Sequence, residues 1–222
     1  PEDRFPGEFQ QLVTAFSWMG TELKRHNETL NRLIAERTAS LETALEKVEV
    51  LSRIDELTGL SNRRYFSESV QREIRLAQRT GSPLGLLVID VDQFKVYNDK
   101  NGHPAGDRLL KNLGHILLTS VRGTDVVGRV GGEEFSVALV GSDMEESRVV
   151  AEKIRARVAD WPFEFGATQP LGRVTISVGV ASSPLSSGTY LEIFTAADEA
   201  LYQAKAGGRN QVCTVNMTSD SA

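Results

Sequence analysis

Between Leu23 and Leu51 the chain repeats at alternating spacings of four and three, through Leu23, Asn27, Leu30, Ile34, Arg37, Leu41, Ala44, Val48 and Leu51. Seven of these nine positions are apolar and charged residues fill the intervals. That is the stripe two parallel helices bury against each other, and its persistence over four heptads favours pairing over one helix packed on its own domain. Asn27 and Arg37 within the seam weaken such pairing but fix its register. Upstream, Phe9, Leu12, Phe16, Met19 and Leu23 share one helical face. Only Gly7 and Gly20 precede residue 59, and no proline lies between Pro6 and Pro83, so the first quarter is predicted helical.

Further on the period alternates and turn residues become frequent. Residues 61–79 read as a helix capped by Ser61, and residues 83–91 as a buried strand, a short apolar run between turn signals. A helix over about 104–121 follows. Residues 125–130 and 135–140 flank Gly131-Gly132-Glu133-Glu134 and predict a β-hairpin, with the paired glycines supplying the positive φ of a tight turn. A helix near 143–159, a strand at 173–181, a helix near 190–206 and a strand near 210–215 complete a mixed α/β domain, and residues 217–222 predict a frayed tail.

Composition narrows the function classes. The chain has 222 residues, 25 Lys+Arg against 30 Asp+Glu and a formal charge of −5. It is long enough for one sizeable domain with an appendage. The negative balance argues against a general nucleic-acid coat but not against a nucleotide held through metal ions. Cys213 is the only cysteine, which excludes an intrachain disulfide and a cysteine cage and fits a reducing compartment. No run of about 18 apolar residues occurs, and the start lacks a signal-peptide layout. The expectation is a soluble cytoplasmic chain without direct membrane contact, standing alone or as the cytoplasmic portion of a bacterial inner-membrane receptor.

Two groups of carboxylates carry the chemistry. An apolar strand ending in Asp90-Val91-Asp92 and a hairpin turn carrying Glu133-Glu134 each deliver acids where the backbone leaves a sheet. If the strands are neighbours, the acids converge and raise one another's pKa unless a cation neutralises them. Oxygen ligands without His or Cys select Mg²⁺ or Mn²⁺ over zinc, the metals with which a polymerase-type palm activates a ribose hydroxyl and stabilises the phosphate under attack. Each motif alone is equally well a strand cap or a solvated hairpin; the combination points to chemistry. Between them, residues 93–110 form a polar, glycine-punctuated segment suited to presenting amides to phosphate. Asn98 and Asp107 have the donors and acceptors to read a guanine edge, although both are also common turn and cap residues.

Taken in order, DELTGLSNRRYF (55–66), IDVDQFKVYNDKNGHPAGD (89–107), RVGGEEF (129–135), VTISVGVA (174–181) and ADEALYQAKAGGRN (197–210) resemble the GGDEF family, the diguanylate cyclases. The resemblance implies a ferredoxin-like, polymerase-palm mixed sheet flanked by helices, preceded here by the coiled-coil helix. The implied activity is condensation of two GTP into cyclic di-GMP with release of two pyrophosphates. It implies metal ligation by Asp90, the Val91 carbonyl, Glu133 and Glu134, with Glu133 also assisting deprotonation of the 3′-hydroxyl. Asn98 and Asp107 match guanine contacts, and His103 matches a further substrate position. Phe94 and Lys95 match a phosphate-cradling loop, and Lys205 and Arg209 match a late basic pair on the triphosphate. Cations near a helix C-terminus are also favoured by the dipole alone, and His103 is equally well a solvated loop residue.

Arg122 and Asp125 form an RxxD in the register of the family's product-inhibition site, a pattern that elsewhere is usually an i, i+3 ion pair. Val130 stands where the family more often has Tyr. The first helix resembles the second helix of a HAMP module over 1–24, then a dimeric signalling helix over 25–54, with the catalytic domain over 55–217 and a tail at 218–222. His115, Trp18 and Trp161 read as packing or surface residues. Because each GTP attacks the other, the active form implied is a homodimer with GTP as substrate and cyclic di-GMP as product and inhibitor. The rival is a catalytically silent module that binds cyclic di-GMP or GTP; a pure dimerisation relay leaves the acidic hairpin unexplained.

Overall fold

The structure, a computed structural model, describes residues 5–51, 53–183 and 189–216. The predicted tail lies outside the described residues, as do the side chains of Phe9, Leu12, Leu41, Ala44, Val48 and Leu51. The chain divides into two units, residues 1–52 and 53–222.

The first unit contains one helix, α1 (Phe5–Leu51), of 47 residues, about 70 Å long at 1.5 Å per residue. It runs unbroken through residues 24 and 25, where the two predicted segments meet. Seam residues Leu23, Leu30 and Ile34 are 69%, 45% and 61% exposed in the single chain, so this described part of the apolar stripe is presented to solvent.

The second unit is a six-stranded mixed sheet with helices on both faces. Its elements are β1 (Ser61–Asn62), α2 (Arg63–Thr80), β2 (Leu84–Val91), α3 (Phe94–Asn101), α4 (His103–Leu118), β3 (Val126–Arg129), β4 (Glu134–Val140), α5 (Met144–Asp160), β5 (Ile176–Ser183), α6 (Tyr190–Ala206) and β6 (Val212–Asn216). Strand order is β1-β3-β4-β2-β5-β6. The pairs β3/β4, β4/β2 and β2/β5 are antiparallel, and β1/β3 and β5/β6 parallel. The four inner strands have the order of a ferredoxin-like fold, as expected.

Strand β2 is buried along its whole length, because alternation feeds both faces of the sheet. Leu87, Ile89 and Val91 join a core with Leu109, Leu113, Ile116 and Ile154 under α4 and α5. Leu84, Leu86 and Val88 join Phe66, Val70, Ile193 and Leu201 under α2 and α6.

Three details differ from expectation. Asn62 caps α2, its side chain accepting from the Tyr65 amide at 2.9 Å, because Ser61 is held in β1 beside Gly128. The polar segment before the predicted helix is itself helical, so α3 and α4 stand in place of one helix over 104–121. Gly102, at φ 82°, makes the corner between them. In the hairpin, neither Gly131 nor Gly132 has a positive φ. Residues 130–133 rather than 131–134 link β3 to β4, closed by bonds from the Val130 and Gly131 amides to the Glu134 carbonyl at 2.9 and 3.3 Å. A Cβ at Gly131 would meet the exposed Glu134 carboxylate, which would have to swing aside.

Helix α6 rests directly on β5. A Cβ at Gly179 would overlap the Ala197 carbonyl oxygen and the Leu201 amide nitrogen, backbone atoms that move only if the helix moves. Gly179→Ala is expected to destabilise the domain by about 3 kcal/mol or more, read as a fall in the urea midpoint at unchanged m-value; a midpoint equal to wild type would contradict this packing.

Candidate active site

The β2/β4 register pairs Asp90 with Glu134 across the ladder, and the Val91 amide donates to the Glu133 carbonyl at 3.3 Å. The strand end and the hairpin are therefore neighbours in one sheet, the condition on which convergence of their acids depends. Asp90 is 8% exposed, while Glu133 is half-buried and Glu134 exposed. Burial, and after it the charges of Glu133 and Glu134, raise the Asp90 pKa from 3.8 to about 6 against the opposing pull of Lys205. The Lys205 amine, in the last turn of α6, lies 2.9 Å from Asp90 Oδ2.

Asp92 has a different place. Its carboxylate accepts from Thr175 Oγ1 and Ser177 Oγ at 2.7 Å each and from the Asn210 amide at 3.0 Å. It is 4% exposed, so it binds the strand end to β5 and to the segment after α6.

The hairpin is held by residues to which the sequence pattern assigned no role. Arg129 donates through Nε and Nη2 to the Gly132 carbonyl at 3.1 and 2.6 Å, and through Nη1 to both Asp55 oxygens at 3.2 Å. Asp55 also accepts from the Thr58 amide and hydroxyl at 2.9 and 2.6 Å. Burial works against its charge, but Thr58 and Arg129 outweigh burial and hold the Asp55 pKa below the ordinary value. Asp55 and Arg129 are 74 residues apart, a partnership no local spacing signals.

Asn98 lies on α3 with Oδ1 buried and without a hydrogen-bond partner. Asp107 and His103 are exposed on α4, His103 as its first residue. Phe94 is 8% exposed, with its ring in the core, leaving its backbone as the part available to a ligand; Lys95 beside it is exposed. Arg209 is exposed beyond α6 at φ 67°.

Arg122 and Asp125 border a cavity of about 500 Å³ together with Glu145 and Lys153. The Asp125 carboxylate accepts from the amides of Arg122 and Val140 at 2.8 and 3.2 Å. The RxxD spacing thus serves a backbone turn, and the Arg122 side chain is exposed.

Among the described residues no three acidic, His or Cys side chains stand close enough together to hold a metal ion between them. The donor set nevertheless fits a hard divalent ion: three carboxylates and a carbonyl at one sheet end, with no His or Cys and with mutual repulsion that a cation would relieve.

Because Asp90 holds its proton more tightly when folded, the folded chain binds the extra proton between about pH 4 and 6. Its contribution to stability is therefore lost as pH rises through that window. Without metal, Asp90→Asn is expected to be more stable than wild type at pH 7.5 by on the order of 2 kcal/mol, with the difference vanishing at pH 4. Thermal unfolding in chelator checks it; a less stable Asp90→Asn at pH 7.5 would count against the burial argument.

Residues 52–211 match the family model of the diguanylate cyclase GGDEF domain. The chain is 39% identical to the response regulator PleD of Caulobacter vibrioides over 73% of its length and 36% of that protein's. With the diguanylate cyclase DosC of Escherichia coli it shares 34% identity over 93% of its length and 47% of that protein's. The chain thus spans a third to a half of these curated relatives. Among solved structures it is similar to the coiled coil and GGDEF domain of DgcB from Caulobacter crescentus in complex with c-di-GMP. That match has a TM-score of 0.68 and 29% identity, covering 84% of this chain and 99% of the other. It is also similar to the active GGEEF domain of a diguanylate cyclase from Vibrio cholerae, with a TM-score of 0.64 and 34% identity, covering 70% and 97%. With its acidic strand end and GGEEF hairpin joined in one sheet, the chain belongs to the GGDEF-domain diguanylate cyclase family.

Proposed function

We propose that this chain condenses two GTP molecules into cyclic di-GMP and two pyrophosphates. The observation that supports it most is the pairing of Asp90 with Glu134 beside Glu133, which brings acidic oxygens from two strands to one sheet end. Asp90, the Val91 carbonyl, Glu133 and Glu134 would hold Mg²⁺ or Mn²⁺. When bound, such ions neutralise charge on the α-phosphate and acidify the 3′-hydroxyl. Glu133 takes up the hydroxyl proton. Lys205, whose amine pairs with Asp90, would contact the triphosphate together with Arg209. Amides at Phe94 and Lys95 cradle the phosphates. Asn98 and Asp107 read guanine, the unpartnered Asn98 Oδ1 gaining a donor from the base, and His103 lies beside the nucleotide.

Each 3′-oxygen attacks the α-phosphorus of the other GTP with loss of pyrophosphate, so one domain is half of an active site. Two chains paired through the exposed seam of α1 would supply both halves and raise their effective concentration. In this reading residues 1–24 form a HAMP-like relay and residues 25–54 the dimeric signalling helix for a domain over 55–217, in the cytoplasm. No described helix is long and apolar enough to cross a membrane. The cavity at Arg122 and Asp125 would take the product, the guanidinium clamping phosphate.

Incubation with GTP and Mg²⁺ followed by nucleotide separation tests the reading. Cyclic product is expected from wild type, and Glu133→Gln should lower turnover by about 10³-fold or more with unchanged unfolding. Binding without turnover in wild type would instead identify a receptor. Arg122→Ala should raise the product concentration needed for half-inhibition by about tenfold or more; an unchanged inhibition curve would reject the cavity as the inhibitory site.

A further inference from the structure

The segment linking α5 to β5 grips both helices that carry the guanine-reading candidates, and one residue in it reaches both. Tyr97 Oη on α3 donates to the Glu164 carbonyl at 2.5 Å, and Arg108 Nε on α4 donates to Glu164 Oε2 at 2.8 Å. Four residues later the grip on α3 is repeated. Lys100 Nζ donates to the Thr168 carbonyl at 2.8 Å, and Asn101 Nδ2 donates to Thr168 Oγ1 at 3.2 Å.

The segment is itself anchored. Phe163 lies in the core at 7% exposure, Gln169 is 6% exposed, and residues 166–168 form a 3₁₀ turn. Phe165 adopts φ 58°, an unfavourable conformation for a residue with a side chain. Such a conformation persists only when its surroundings over-determine it.

The anchored contacts sit next to the candidates in sequence. Tyr97 precedes Asn98 and Arg108 follows Asp107. The two helices also touch directly, since a Cβ at Gly106 would collide with Asn98 Oδ1. Changing the splay of α3 and α4 would therefore change the distance between the Asn98 amide and the Asp107 carboxylate. Two groups reading one base edge require that distance to be fixed to a fraction of an ångström.

The magnitudes separate this role from a simple stabilising one. The Arg108–Glu164 pair is 53% exposed on each side and contributes between roughly 0 and 1 kcal/mol to stability. Its loss should hardly alter unfolding, yet it removes half of the bridge between the helices.

We propose that residues 163–168 are a strap that fixes the α3–α4 separation, with Glu164, Tyr97 and Arg108 as positioning residues that set selectivity for guanine over other purines. This rests on the reading of Asn98 and Asp107 as guanine contacts.

The test is equilibrium binding of GTP and of inosine triphosphate, which lacks the exocyclic amino group, to the whole chain with Mg²⁺. A Glu133→Gln background prevents turnover. In that background Tyr97→Phe and Arg108→Ala should each weaken GTP binding about fivefold and leave inosine triphosphate binding within about twofold. The preference for GTP falls accordingly, with unfolding temperatures near the parent's. Equal weakening for both nucleotides, or none for either, overturns the strap. Asp107→Ala separates the two ideas. If it abolishes the preference while the Tyr97 and Arg108 variants keep it, the strap alone falls. If the parent shows no preference, or Asp107→Ala leaves the preference intact, the guanine reading falls and the strap with it. Should Tyr97→Phe fold poorly, the exposed Arg108→Ala carries the test.

Discussion

The site depends on an acid held where water has been removed. Asp90 continues a strand that is buried on both faces, so its charge must be balanced by whatever stands at the end of the sheet. There stands the Lys205 amine, working against the nearby charges of Glu133 and Glu134. The arrangement is costly for folding and useful for chemistry, since a cluster that disfavours its own ionisation is one that a divalent cation or a cationic side chain occupies readily. The neighbouring residues keep the acids from relaxing apart: the β2/β4 ladder fixes one pair, and the Arg129 guanidinium fixes the turn that carries the other.

That second fixation joins the start of the domain to its centre. Asp55 is oriented by Thr58 and in turn orients Arg129, whose fork closes on the Gly132 carbonyl. The residues that begin the domain thus hold the hairpin, through bonds directional enough that a displacement at Asp55 reaches the turn. Glycines take part in two ways, by permitting a left-handed torsion at the Gly102 corner and by allowing close approach at Gly179 under α6.

Much of this was legible in the chain. The apolar run into Asp90, the acidic turn after paired glycines and the alternation of periods gave the sheet, its main helices and the convergence of carboxylates, because each is a local pattern with a local cause. Polar local structure was harder to read. Residues 94–101 carry few apolar positions and look like a loop, but Phe94 and Tyr97 turn inward and make them a helix. Ser61 was an ordinary cap candidate until pairing with β3 took it and passed the role to Asn62. The Asp55–Arg129 and Tyr97–Glu164 contacts left no signal, since they join residues separated by 74 and 67 positions and depend on the finished fold. Asp90 and Asp92 close the same apolar run, and local pattern alone does not separate them; the fold sets Asp90 beside Lys205 and ties Asp92 into three hydrogen bonds.

The two aspartates therefore tolerate change differently. Asp92 knots a strand end, its neighbour β5 and the chain after α6 into one joint, and that joint asks nothing of Asp90. Replacing Asp90 therefore leaves that joint whole, whereas replacing Asp92 loosens the strand end on which both residues stand.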